Sequence, residues 1–207
     1  MANRVFLVQI DAPDPDGMYD ADAIVVAANS MLPVLWCTAF TEDDIAWRVV
    51  PAREDEGLEK DESDDEGDGR TRPAYPILLA TTDTIQRRAR DRRELFFRAF
   101  PRTLEDVYSD WLMLLDGIDT PYLLVDTLEV WGMGEPEVFE ADLIECVTAF
   151  ENDDPRYWSG LLRQARIRWN PIARTMTFDD AAMPVLSHGY EWLRPVPWAE
   201  SEVDAQP

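Results

Sequence analysis

One histidine, one lysine and two cysteines are all this chain holds of those residue types. These shortages remove most familiar chemistries. A structural zinc site takes four ligands, mainly Cys and His. Here His188, Cys37 and Cys146 are too few. No GxSxG, HExxH or phosphate-binding loop occurs. "GRTR" at 69–72 lacks the loop spacing, and "WGMG" at 131–134 is long enough only for a turn. Cys37 and Cys146 sit in apolar runs and read as buried reduced thiols. His188 reads as a turn or surface residue. A calcium loop is also missing. Asp14, Asp16 and Gly17 suggest one, but Ala12 and Ala23 stand where acids belong, and Pro73 spoils the same pattern counted from Glu62.

Long hydrophobic runs are absent too. None approaches the ~18 residues that span a bilayer. "VFLVQI" near the start is too short for a signal-peptide core and no small-residue cleavage site follows. The expectation is a cytoplasmic protein with no metal, no cofactor and no membrane contact.

What the chain has is acid. It carries 42 Asp and Glu against 19 Lys and Arg, a net charge of −23. From Glu54 to Asp68 ten carboxylates fall in fifteen residues: Glu54, Asp55, Glu56, Glu59, Asp61, Glu62, Asp64, Asp65, Glu66 and Asp68, against Lys60 alone. That run holds −9 of the charge, and the rest of the chain keeps −14. Such a field repels nucleic acid and anionic membranes and attracts basic proteins. The lack of lysine beside eighteen arginines fits a GC-rich genome or a salt-loving host.

At 207 residues, 46% of them apolar, the chain can build one core. "RVFLVQI" reads as a buried strand. "DADAIVVAANSML" reads as a helix and "VLWCTAF" as a second strand. "TEDDIAWRVV" reads as a helix capped by Thr41, with Asp44 reaching back in a capping box. An acidic loop, taken as disordered, covers about 51–73. "YPILLATT" resumes as a strand. A helix then starts at Asp83 or Thr84, with Ile85, Ala89, Phe96 and Phe100 on one face. Its arginines, Arg87, Arg88, Arg90, Arg92, Arg93 and Arg98, are expected to pair with the chain's own acids, the run being the obvious source. Thr103 should cap the helix "LEDVYSDWLMLL". Strand Tyr122–Thr127 and a helix opened by Pro136 follow. A short helix from Asp154-Pro155 and a hairpin of "RIRW" and "RTMTFD" complete the domain, 1–198, before a frayed tail, 199–207. The fold expected is α+β, with α/β as the alternative: a mixed sheet packed against several helices.

Carboxylate catalysis is the one enzyme class that composition leaves open. Asp126, Glu129, Glu135 and Glu137 lie around Trp131, and a suitably spaced pair could act as acid and base on a sugar.

The opening "ANRVFLVQIDAPDPD", followed by "ANSMLPVLWCTAF", resembles a group of small acidic bacterial proteins that start with an Asn-Arg-aromatic-Leu strand. Some of these look like immunity proteins of polymorphic toxin systems. The resemblance covers about the first 45 residues and transfers no residue roles. It implies a non-enzymatic inhibitor that covers a basic partner such as a toxin or nuclease domain. The ten carboxylates of the run are the candidate contacts. A carboxylate hydrolase and a housekeeping protein of a salt-adapted host are the alternatives.

Overall fold

The computed structural model describes residues 4–29, 32–50, 73–100, 102–151 and the short segments 168–170, 175–177 and 191–192. The acidic run, the short helix expected from Asp154-Pro155, His188 and the tail lie outside the described residues.

Three strands fall where the apolar runs put them: β1 (Arg4–Ile10), β4 (Ala74–Thr81) and β5 (Tyr122–Asp126). They are neighbours in a six-stranded sheet, completed by β2 (Ile24–Asn29), β3 (Ile45–Val49) and β8 (Glu191–Trp192), in the order β3-β4-β5-β1-β2-β8. A separate hairpin pairs β6 (Arg168–Asn170) with β7 (Thr175–Thr177). Every described pairing is antiparallel. The fold is therefore α+β rather than α/β.

Three expectations near the start are corrected. The segment 24–29 is a strand, not a helix. Ile24, Val25 and Val26 are β-branched, and β1 offers an open edge, so pairing outweighs the helix preference of the alanines. Only a single 3-10 turn, Ala21–Ala23, remains ahead of it. "VLWC" is the reverse case. It forms the helical turn α1 (Val34–Cys37), with all four side chains buried. A short apolar run buried on every side carries no period to distinguish strand from helix. "TEDDIAWRVV" gives both outcomes. Thr41 and Asp44 do form the capping box, but the turn stops after Glu42–Asp44 and β3 begins.

The later helices match expectation more closely. α2 (Thr82–Asp91) and α3 (Arg93–Ala99) replace the single arginine-rich helix, separated at Arg92. Arg92 Nη1 donates to the carbonyls of Thr38 and Phe40, so it also closes the exit from α1. α4 (Glu105–Asp116) follows a 3-10 turn, and its N-cap is Leu104 rather than Thr103. α5 (Leu128–Trp131) and α6 (Pro136–Thr148) follow, with Pro136 in the first turn of α6.

Alternation along the strands divides the apolar residues between two faces. Val5, Leu7, Leu78, Leu123 and Val125 join the main core with α1, Ile85, Phe96, Tyr108, Trp111 and Cys146. Val8, Tyr75, Ile77 and Leu124 form a smaller cluster on the opposite face, covered by Tyr19, Leu128 and Trp131. A bulge leaves Val25 unpaired, between Leu7↔Val26 and Val8↔Ile24. Val25 and Val26 both reach the main core because of it.

Candidate partner-binding surface

Four arginines of the α2–α3 stretch pair with acids of the same chain. Arg88 pairs with Asp44 of the 42–44 turn, Arg90 with Asp116 and Arg93 with Glu105 of α4. Arg92 lies 3.8 Å from Glu151, and Arg102 binds Glu94. Internal pairing was the expectation, but these acids come from the folded body and none belongs to the run. Arg102 also stacks over Phe97, 4.7 Å from the ring centre.

A sixth pair is buried and organises the sheet's edge. Arg48 of β3 and Asp126 at the end of β5 meet at 3.1 Å, with each side chain 8% exposed. Both point to the smaller-core face. Asp126 Oδ2 also accepts from the Tyr19 hydroxyl at 2.7 Å and the Tyr75 hydroxyl at 3.4 Å. Its Oδ1 accepts from the Leu128 amide at 3.0 Å, which opens α5. Arg48 donates its second nitrogen to the Gly17 carbonyl at 2.7 Å and sits over the Tyr19 ring. Burial first, and the Asp126 charge second, push both phenols well above their ordinary range. One acid, one base and two protonated tyrosines thus lock the N-terminal loop to β3, β4 and β5.

That loop reaches the outer edge of β3 as well. Asp16 folds back on Asp14, its amide donating to Asp14 Oδ1, and its own carboxylate accepts from the Val49 amide at 3.1 Å. The Asp14–Gly17 segment is therefore a turn that caps a strand. Val50 donates to Pro73 of the neighbouring strand. Alternation then points the backbone groups of Ile45, Trp47 and Val49 away from β4. The Ile45 amide is used by Glu42, closing the 3-10 turn, and the Val49 amide by Asp16. No hydrogen bond from a described residue reaches the outward groups of Trp47. Trp47 is 51% exposed and Val49 44%.

The four acids considered for hydrolysis are dispersed in role. Asp126 is saturated by the contacts above. Glu129 Oε2 accepts from the Arg4 amide at 2.7 Å. Glu135 and Glu137 are exposed at the start of α6. Two surface depressions share Thr81 and Tyr122, at the opposite end of β5 from Asp126. The ten carboxylates from Glu54 to Asp68 lie outside the described residues. Trp47, Arg48, Tyr19 and Tyr75 were not singled out from the sequence, and Asp126 was named only as a candidate hydrolytic acid. Their only signal there was an aromatic beside an arginine in a short alternating stretch.

Cys37 and Cys146 are free and buried, and they are neighbours. The hydrogen bond with Cys37, then burial, raises the Cys146 thiol well above its ordinary range. No helix among the described residues is long and apolar enough to cross a membrane.

The fold and this surface define an acidic α+β protein with an exposed tryptophan, Trp47, on the edge strand β3. No family model matches the chain, and neither a curated protein nor a solved structure matches it.

Proposed function

We infer that this protein is a non-enzymatic binding protein that covers a basic protein partner, in the manner of an immunity protein or inhibitor of a toxin or nuclease domain. One observation carries the reading. Six described arginines hold acids of the same chain, so their positive charge serves internal structure. The chain as a whole keeps a surplus of negative charge, −23, and among the described residues Asp14, Glu42, Asp43, Glu135 and Glu137 are exposed. Such a surface speeds encounter with a basic partner and disfavours acidic competitors. The run from Glu54 to Asp68 concentrates that field next to β3 in sequence.

The test is affinity capture from the native host near ~150 mM salt, where exposed charges act over about 8 Å. The intact protein and a form lacking Glu54–Asp68 are compared, and mass spectrometry identifies what each retains. The reading expects one basic protein on the intact form. Its loss on deletion assigns the run as a binding element, and its retention assigns the folded surface. An intact form that captures no basic protein overturns the reading.

A further inference from the structure

The geometry points to a specific docking element on this surface: the open edge of β3 at Trp47 receives an extended basic segment of the partner as an added strand. This rests on the reading above and adds where and how the partner is held.

An unpaired strand edge is a template for another chain, and proteins usually block it. β3 is the terminal strand of the sheet. It is blocked at both ends, by Glu42 closing on the Ile45 amide and by Asp16 closing on the Val49 amide. Between them, among the described residues, no group takes the outward amide and carbonyl of Trp47. In an antiparallel pair one residue exchanges both bonds with a single partner residue. Trp47 offers that pair of groups, and the two blocked ends fix the register around it.

The side chains suit the same occupant. Half-exposed Trp47 lies beside Val49 on the same strand face. An indole face takes an arginine or lysine by cation–π contact, and tryptophan is an effective interface anchor. Glu42 and Asp43 are exposed just before the strand, and Asp14 is exposed in the loop that caps its other end. The one basic side chain of β3, Arg48, is buried on the opposite face and committed to Asp126. No positive charge on the strand opposes a basic guest. The indole and the backbone groups are held in place from behind, because Arg48 ties β3 to β5 and the N-terminal loop.

The probe is an extended peptide of alternating arginine and valine, titrated into the full-length protein and followed through its backbone amides by NMR. Two controls accompany it. One peptide has the same side chains but is N-methylated at every residue, so neither of its edges can donate to a strand ladder. One protein variant is Trp47→Pro, which removes the outward amide without touching the bonds to β4. Binding should perturb the Trp47 amide and slow its hydrogen exchange. The N-methylated peptide and Trp47→Pro should each weaken binding by about tenfold or more, whereas Trp47→Ala, which keeps the backbone groups, should lose less. Equal binding of both peptides, with the Trp47 amide unmoved, overturns the edge proposal and leaves the acidic-binder reading standing. Failure of every basic peptide to bind even at low salt counts against that reading itself. A dimer of the protein alone that Trp47→Pro abolishes assigns the edge to a second copy and also overturns the proposal.

Discussion

Replacing Asp126 with Asn would strand the Arg48 guanidinium in the smaller core and weaken the acceptor for two tyrosines. Removing one partner of a buried pair costs about 3–5 kcal/mol, because the other charge stays behind. Asp126→Asn should therefore lower the urea midpoint strongly, whereas Arg48→Met with Asp126→Leu should recover much of the loss. A single variant as stable as the parent would mean that the pair does not hold the edge. The tyrosines make a second residue-scale prediction. Tyr19 and Tyr75 keep their protons in the fold, while the unfolded chain releases them near the ordinary value of 10.0. The folded state then binds more protons, so stability is full below about pH 10 and falls as pH rises through and beyond it. Urea unfolding from pH 8 to 11 should show that decline, and Tyr19→Phe should reduce it. Cys37 and Cys146 should resist alkylation in the native protein and react fully in denaturant, read as a mass shift. Rapid native labelling of Cys146 would contradict its buried, hydrogen-bonded setting.

The elements differ in how plainly the sequence announces them. α2 and α6 carry length, a helical apolar stripe and a start signal, although α2 begins at Thr82, just before the expected Asp83 or Thr84, and its cap is Thr81, which accepts from the Thr84 amide. β4 and β5 are compact apolar runs next to prolines, and they are strands. β2 and α1 exchange identities because their local signals are weak. "AIVVAAN" becomes a strand through its pairing with β1, and "VLWC" becomes a helical turn through burial on all sides. Both causes are tertiary. The capping box at Thr41 was legible, but its extent was not, since β3 takes over at Ile45 to pair with β4. The site was less legible still. Arg48 and Asp126 are seventy-eight positions apart, and only the sheet order brings them together. Asp44 links the element and residue scales, because it closes the capping box and binds Arg88 of α2. Asp44→Ala should cost about 1–3 kcal/mol in denaturant unfolding, the range for losing a cap or a charged hydrogen bond. A change near zero would mean that the turn holds without it.

At the scale of the whole molecule the acidity has two competing explanations. A salt-adapted surface would need high salt to fold. The ion pairs and cores described above predict a protein that stays cooperatively folded at about 10 mM salt, where charge effects extend about 30 Å. Stability should rise modestly as salt screens self-repulsion. Thermal unfolding monitored by circular dichroism across that salt range separates the two, and loss of the folded state at low salt would favour the salt-adapted explanation. The inhibitor reading gives the same charge a different use: six described arginines hold acids of the same chain, and the surplus acid serves a partner. The measurement that tests this most directly is native mass spectrometry of the tagged protein isolated from its host near ~150 mM salt. The predicted result is a stoichiometric complex with one basic protein that dissociates as salt is raised. The protein recovered alone, at its own mass, would contradict it.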